Sequence, residues 1–320
     1  MKLERIYHEI VKKGIESDVR DSKAIEDILK EKKSCYEKCN KNDKDDFDAD
    51  SLFNPFADTR ILCGDLKSNI KSVIVGVDVE GTELLVVDRL REKGVKIDLA
   101  IAHHPEGRAY ANFCDVMDLQ VDMLVNEGVS VSVSANFLAE RKSQVQRRLH
   151  AANHSRGVDI AKLLDINFLC MHTPCDNLAY QYLRKRLDKD KPDRLEKIID
   201  ILSTMGEYKE AAKNNNPPKI VIGSKESRCQ HIHLEFTGGT EGSSKIYKHL
   251  SARGVDTIIA MHQTEEHFKE CKDANINVIF ASHIASDNLG INLMLDYLES
   301  KETLKIHEFS GFRRISRKSK

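Results

Sequence analysis

Apolar and polar positions along this chain follow two different periods. Near the start, Leu3, Ile6, Ile10 and Val11, then Ala24, Ile25, Ile28 and Leu29, recur at helical spacing with charges between them. This predicts two amphipathic helices broken near Gly14. Further on, an apolar run from Val73 stops at Asp78. Residues 80–93 then carry Leu84, Leu85, Val87 and Leu90 at helical spacing and end at Gly94, as a capped helix does. Ile97 to Ala102, apolar but for Asp98, is a second run, and it meets His103, His104 and Pro105 abruptly. Proline cannot donate to a sheet ladder, so the strand must end there. Strand, helix, strand in this order predicts a parallel pair with a right-handed crossover.

The same reading continues along the chain. It predicts a helix over 116–127, a short strand over 129–133 and a long polar-faced helix over 137–164 that stacks His150 and His154 at i, i+4. A strand over 167–171 ends on His172-Thr-Pro-Cys-Asp176. Helices over 177–187 and 195–205 and a linker at 214–218 lead to strands over 219–222 and 231–236. Gly238-Gly239 then opens a helix through 250, as a tight connection or as a backbone cradle for a phosphate. A strand over 257–261, a helix over 264–275 and a strand over 278–281 follow. That last strand ends on Ser282-His283-Ile-Ala-Ser-Asp287 before a closing helix over 288–299. The predicted architecture is α/β: a helical N-terminal extension (1–53), a first α/β lobe (54–213) and a second (214–320), each a mixed sheet flanked by helices, with a basic, mobile tail from Arg313.

Composition narrows the picture without changing it. Fifty basic and fifty-one acidic residues among 320 leave almost no net charge, so nucleic acid is not an expected partner. No apolar stretch is long enough to span a bilayer. Eight cysteines without an apolar leader suggest free thiols in a reducing, cytoplasmic setting. Cys35 and Cys39 have no second close pair to complete a zinc site.

Three separate strands therefore end in the same chemistry: His103-His104, His172 with Asp176, and His283 with Asp287. In open α/β sheets that edge is where ligands bind. His103 and His104 alone could be two surface histidines in a turn. Recurring histidines and carboxylates, however, supply the mixed N and O donors that suit Zn²⁺, Fe²⁺, Mn²⁺, Co²⁺ or Ni²⁺, and there are enough of them for two ions. Such a pair supports metal-assisted hydrolysis.

The strand ending in His-His-Pro, the His-Thr-x-x-Asp segment, and the late Ser-His-x-x-x-Asp followed by Leu289-Gly290 together resemble the NIF-three-like family, the GTP cyclohydrolase I type 2 homologues. The resemblance runs from about Asn54 to Glu299. It implies a dinuclear metal centre in the cleft between the lobes, with His103, His104, Asp176, His283 and Asp287 as ligands. It also implies homo-oligomers built as hexameric rings and a small-molecule substrate, a nucleotide, with GTP ring opening the named reaction. Glu106, His172 and His262 are then the candidates to shuttle a proton. Many members carry glutamate where this chain has Asp287, which leaves the metal's identity open. His262, Glu265, Glu266 and His267 stand where the family has a Thr-Gly-Glu segment. A metal-binding adaptor or regulatory scaffold without turnover is the alternative.

Overall fold

The unbroken apolar runs become strands, and the helical-period segments become their covers. The computed structural model describes residues 1–317. Among them, β1 (Arg60–Cys63), β2 (Ser72–Gly76), β3 (Leu99–Ala102), β4 (Phe168–Cys170) and β9 (Lys305–Glu308) form one mixed sheet in the order β1-β4-β3-β2-β9. A second contains β5 (Lys219–Ile222), β6 (Ile232–Glu235), β7 (Thr257–Ala260) and β8 (Asn277–Phe280) in the order β5-β8-β7-β6. In each sheet only the first strand is antiparallel to its neighbour. Strands one to four of either half thus share one arrangement. β3 and β7, central in their sheets, are buried along their whole lengths, as the apolar runs require.

Each fourth strand feeds a long helix, Thr173–Asp190 after β4 and His283–Lys301 after β8. These two helices lie between the sheets. Leu178 and Ile291 enter the core of the first sheet, and Leu183 and Leu289 that of the second. Their contact is close at Gly290, where an added Cβ would stand 2.3 Å from the carbonyl oxygen of Cys175. On the outer faces, Leu84 and Val87 of the helix Gly81–Glu92 cover the first sheet. Leu250 and Cys271 cover the second.

Several segments differ from the sequence reading. Residues 129–133 do not form a strand. The Val-Ser-Val-Ser alternation is instead the first turn of the helix Val131–Leu149, whose buried Ser134, Leu138, Val145 and Leu149 recur at helical spacing. That helix does not run on to 164. It ends at Leu149, and a new helix begins at Arg156, so His150 and His154 lie in the break and are not stacked. The strand β9, inside 214–320, returns to pair with β2 in the first sheet. The first helix, Leu3–Glu16, buries Leu3, Ile6, Tyr7, Ile10 and Val11 in the core of that same sheet.

The basic tail is also anchored where it is described. Arg314 reaches Asp296 at 2.5 Å and Glu299 at 2.6 Å, and Arg317 reaches the buried Glu207 at 2.7 Å. The last three residues of the tail, 318–320, lie outside the described residues. No helix among the described residues is long and apolar enough to cross a membrane.

Candidate metal centre

The strand ends and helix starts converge on one place. His103 and His104 follow β3 directly, and their backbone amides donate to Val77 O at the end of β2. Pro174 stands in the first turn of the helix Thr173–Asp190, where its fixed φ is pre-formed for a helix and its missing N–H costs nothing. It starts the helix early enough to put Asp176 in that first turn. Sequence reasoning placed this segment before the helix. Ser282 precedes the other long helix at a φ of +76°, a left-handed conformation that is unusual for a residue with a side chain. Its carbonyl accepts the Ser286 hydroxyl at 2.8 Å, and from this turn His283 and Asp287 reach the centre one helical turn apart.

Hydrogen bonds on the far side of each ring decide which nitrogen faces the centre. His103 donates its Nδ1–H to Met171 O at 3.1 Å, and His104 donates to Asp78 Oδ1 at 2.6 Å. His172 donates Nδ1–H to Asp58 Oδ2 at 2.9 Å, and Asp58 also accepts the Thr173 hydroxyl at 2.6 Å. Each Nε2 is left as the inward nitrogen, the arrangement by which a carboxylate or carbonyl orients a metal-binding imidazole.

The five residues His103, His104, Asp176, His283 and Asp287 stand together. His103 Nε2 is 3.4 Å from Asp176 Oδ1 and 3.6 Å from Asp287 Oδ1. Asp287 Oδ2 is 3.7 Å from His104 Nε2 and 3.5 Å from His283 Nε2. The donor atoms of His103, Asp176 and Asp287 lie within 4.8 Å of one another, as do those of His104, His283 and Asp287, and those of His103, His104 and His172. These groups could hold metal ions. His103 Nε2 and both oxygens of Asp287 are buried and have no hydrogen-bond partner among the described residues, although buried polar groups are almost always bonded. A cation at the focus of these atoms satisfies all three, so the residues fit a metal.

The electrostatics agree. Burial opposes charge on His103, yet the adjacent Asp287 carboxylate overrides it and raises the imidazole well above its ordinary value. Burial would likewise raise Asp287, but the neighbouring His103 and the other imidazoles hold it far below the usual carboxylate range. Without a cation, a proton on Nε2 of His103 plays the neutralising part. His283 is pushed the other way, below its ordinary value, chiefly by burial. Burial works against Asp58 too, and the His172 bond outweighs it and lowers that carboxyl.

The remaining candidates divide. His172 packs on His103 with ring centroids 4.8 Å apart, and His262 packs on His283 at 4.7 Å. His262 also donates Nδ1–H to Glu241 at 3.1 Å. Glu106 follows Pro105 directly. Its carboxylate lies against Gly157, and burial and the nearby Glu80 raise it to about 7. His267 is fixed by Thr264 and by Gly242 O, and Glu266 accepts from Ser244. Gly238 and Gly239 both have positive φ, and an added Cβ would meet Gln120 at 2.7 Å and Val116 at 2.9 Å, respectively, so these glycines allow a tight turn with close packing. Cys35 and Cys39 bind each other only through Cys39 Sγ on Cys35 O.

Sequence reasoning missed Asp58, Asp78 and Glu241. Asp78 gave a signal, as a carboxylate ending a strand beside the histidine strand. Asp58 and Glu241 gave none. All three hold an imidazole of the cluster.

A pocket opens onto the centre from the side of the second sheet, and His172, Asp176, His262, His283 and Asp287 share its wall with Glu235 and Glu241.

No family model and no curated protein matches the chain in sequence. Among solved structures it is similar to a NIF3 superfamily protein from Sphaerobacter thermophilus. That likeness has 26% identity over 80% of this chain and 91% of that one, with a TM-score of 0.69. More distant likenesses are the reduced form of HcgD from Methanocaldococcus jannaschii (15% identity, 78% and 87% covered, TM-score 0.44) and a protein from Thermus thermophilus, TTHA1606 (14%, 78% and 86%, 0.44). The two mixed sheets with their flanking helices are those of the NIF3 superfamily.

Proposed function

We propose that this chain, with its NIF3 superfamily fold, binds two divalent metal ions and acts as a metal-dependent hydrolase on a nucleotide, as a GTP cyclohydrolase-like enzyme would. One observation carries the reading. The two buried oxygens of Asp287 lack hydrogen-bond partners among the described residues and face different groups, Oδ1 toward His103 and Oδ2 toward His104 and His283. In this reading Asp287 would be a ligand to both ions, with His103 and Asp176 completing one set and His104 and His283 the other.

Bound divalent ions would supply Lewis acidity, lowering the pKa of water and stabilising a developing oxyanion. The chain's own residues do the rest. Asp78 and Asp58 fix the tautomers of His104 and His172. The fixed rings keep their inward lone pairs aimed at the centre. On the pocket side, His262, held by Glu241, takes or returns a proton from a substrate seated there. Glu106, whose carboxylate lies against Gly157, has no part in this reading. The hexameric ring implied by the resemblance belongs to this reading, and light scattering tests it.

The decisive experiment is metal stoichiometry by elemental mass spectrometry on protein loaded with Zn²⁺, Mn²⁺ or Fe²⁺, followed by hydrolysis assays on the same samples. Two ions per chain are expected, with one lost in Asp176→Asn and both in Asp287→Asn. Hydrolysis should disappear in both variants. Two ions without turnover on any nucleotide favour the scaffold. A wild-type chain that takes up no metal refutes the reading.

A further inference from the structure

The pocket beside the centre has a charge pattern that hydrolysis alone does not require. Its walls are apolar and aromatic, with Met123 and Leu138 on one side and Phe236 and Tyr247 on the other. Among the described residues no lysine or arginine lines it. Beyond the candidate ligands its carboxylates and imidazoles are those of Glu235 and Glu241 and of four histidines, of which His262 pairs with Glu241 and His233 with Glu127.

Glu235 spends only one oxygen, and weakly: Oε2 is 3.4 Å from both the Tyr247 hydroxyl and Gln263 Nε2. Glu241 is held at the rim by His262. Gln120 fixes the rim by donating Nε2–H to Gly238 O and Thr240 O, both at 2.7 Å. Arg141, outside the lining, gives its Nε–H to the backbone carbonyl of Glu241 at 3.0 Å. A polyphosphate seeks guanidinium, ammonium or metal partners. Two divalent ions held by Asp176 and Asp287 would keep a surplus of two positive charges, and Glu235 and Glu241 match that surplus. A flat heterocycle stacks on the aromatic wall, and N–H donors on its edge suit the carboxylates.

We propose that this pocket receives an uncharged, flat heterocycle carrying N–H donors, the base or nucleoside end of a nucleotide, with Glu235 and Glu241 accepting its donors. A polyphosphate weakens binding there, because its negative charge meets Glu235 and Glu241 with no lysine or arginine among the lining residues. The proposal rests on the reading of the neighbouring centre as hydrolytic, and it narrows the substrate to the nucleoside level.

The test is calorimetric titration of the full chain, zinc-loaded and metal-free, with guanosine and with GTP, and with metal content measured on the same samples. Guanosine should bind the zinc-loaded chain at least tenfold more tightly than GTP. Glu235→Gln should weaken guanosine about tenfold with metal content intact. Thr240→Lys, which places a cation at the rim, should raise the affinity for GTP and leave guanosine unchanged. Tighter binding of GTP than of guanosine, an unaffected Glu235→Gln variant, or no guanosine binding at millimolar concentration would overturn the proposal. Guanosine binding by a chain that holds no metal would strike the centre and spare the pocket.

Discussion

Asp58 offers the sharpest test of how the centre is held together. It is fully buried, accepts Nδ1–H of His172 at 2.9 Å and accepts the Thr173 hydroxyl at 2.6 Å. Both bonds fall on one oxygen, Oδ2, while Oδ1 faces the Thr59 hydroxyl at 3.3 Å. In Asp58→Asn an amide oxygen in the place of Oδ2 still accepts both hydrogens, and the NH₂ group turns to the Thr59 hydroxyl, which can accept. The tautomer of His172 is then kept, and only the charge of the acceptor is lost, at about 1 kcal/mol. Asp58→Ala behaves differently. It leaves His172 and Thr173 without their partner, at roughly 3–5 kcal/mol as for one half of a broken buried pair, and it frees the ring, at a cost in metal affinity of up to about 10–100-fold. The alanine variant should therefore both bind zinc more weakly and melt lower than the asparagine variant. Competition against a chromophoric chelator measures the first, and thermal unfolding of the metal-free proteins the second. An asparagine variant that binds zinc as weakly as the alanine variant would refute the argument that the placed acceptor, rather than its charge, orients the ring.

Gly290→Ala should destabilise by about 1–3 kcal/mol or more, because its Cβ would stand 2.3 Å from Cys175 O, one residue before Asp176. Unfolding and metal content report it together, and a variant within about 0.5 kcal/mol of the parent would mean that the helices part freely there. Metal uptake should release a proton from His103, whose pKa is raised chiefly against burial by Asp287. Affinity then rises with pH until the folded pKa is passed, and calorimetry in buffers of different ionisation enthalpy counts the proton. Glu106, raised by burial to about 7 against 4.5 for the free side chain, holds its proton more tightly folded than unfolded. Its contribution is complete below pH 4.5 and is lost as pH rises through 7. Solvent screening of this half-buried group leaves roughly 1 kcal/mol. In metal-free protein Glu106→Gln should flatten the fall in melting temperature between about pH 5 and 8, and an unchanged slope would place the titration elsewhere.

The central strands were readable because burial on both faces demands unbroken apolar runs, and because Pro105 marks where one of them stops. Edge strands carry no such mark. Lys305–Glu308 is half-exposed and polar, and its partner Ser72–Gly76 lies far back in the chain, so no local pattern announces it. Residues 131–134 failed for the opposite reason, since Val-Ser-Val-Ser satisfies a period of two before the helical period emerges. The structure brings His103, His104, Asp176, His283 and Asp287 together, and recurrence at strand ends marked these residues in the sequence. Their supports were harder to find. Asp58 precedes β1, 114 residues from the imidazole it holds, and only the pairing of β1 with β4 brings them together.

The shared strand order explains why the chemistry sits where it does. β1-β4-β3-β2 and β5-β8-β7-β6 are one arrangement used twice, and in both the third strand ends near a histidine and the fourth feeds a long helix. Register makes the correspondence concrete. Ala102 pairs with Cys170 in the first sheet as Ala260 pairs with Phe280 in the second, so His104 and His262 each stand two residues past equivalent positions. Each is bonded through Nδ1 to a carboxylate, Asp78 for one and Glu241 for the other. Yet the roles have parted. His104 lies 27% exposed with its inward nitrogen toward Asp287, whereas His262 is 50% exposed on the pocket side. Two helices meeting at Gly290 bring Asp176 from one half beside Asp287 from the other, and neither half alone assembles the donor set. Binding two ions would therefore couple to the packing of the halves. Metal should raise the unfolding temperature of the whole chain in a single transition, and separate transitions for the two halves in the loaded protein would refute that coupling.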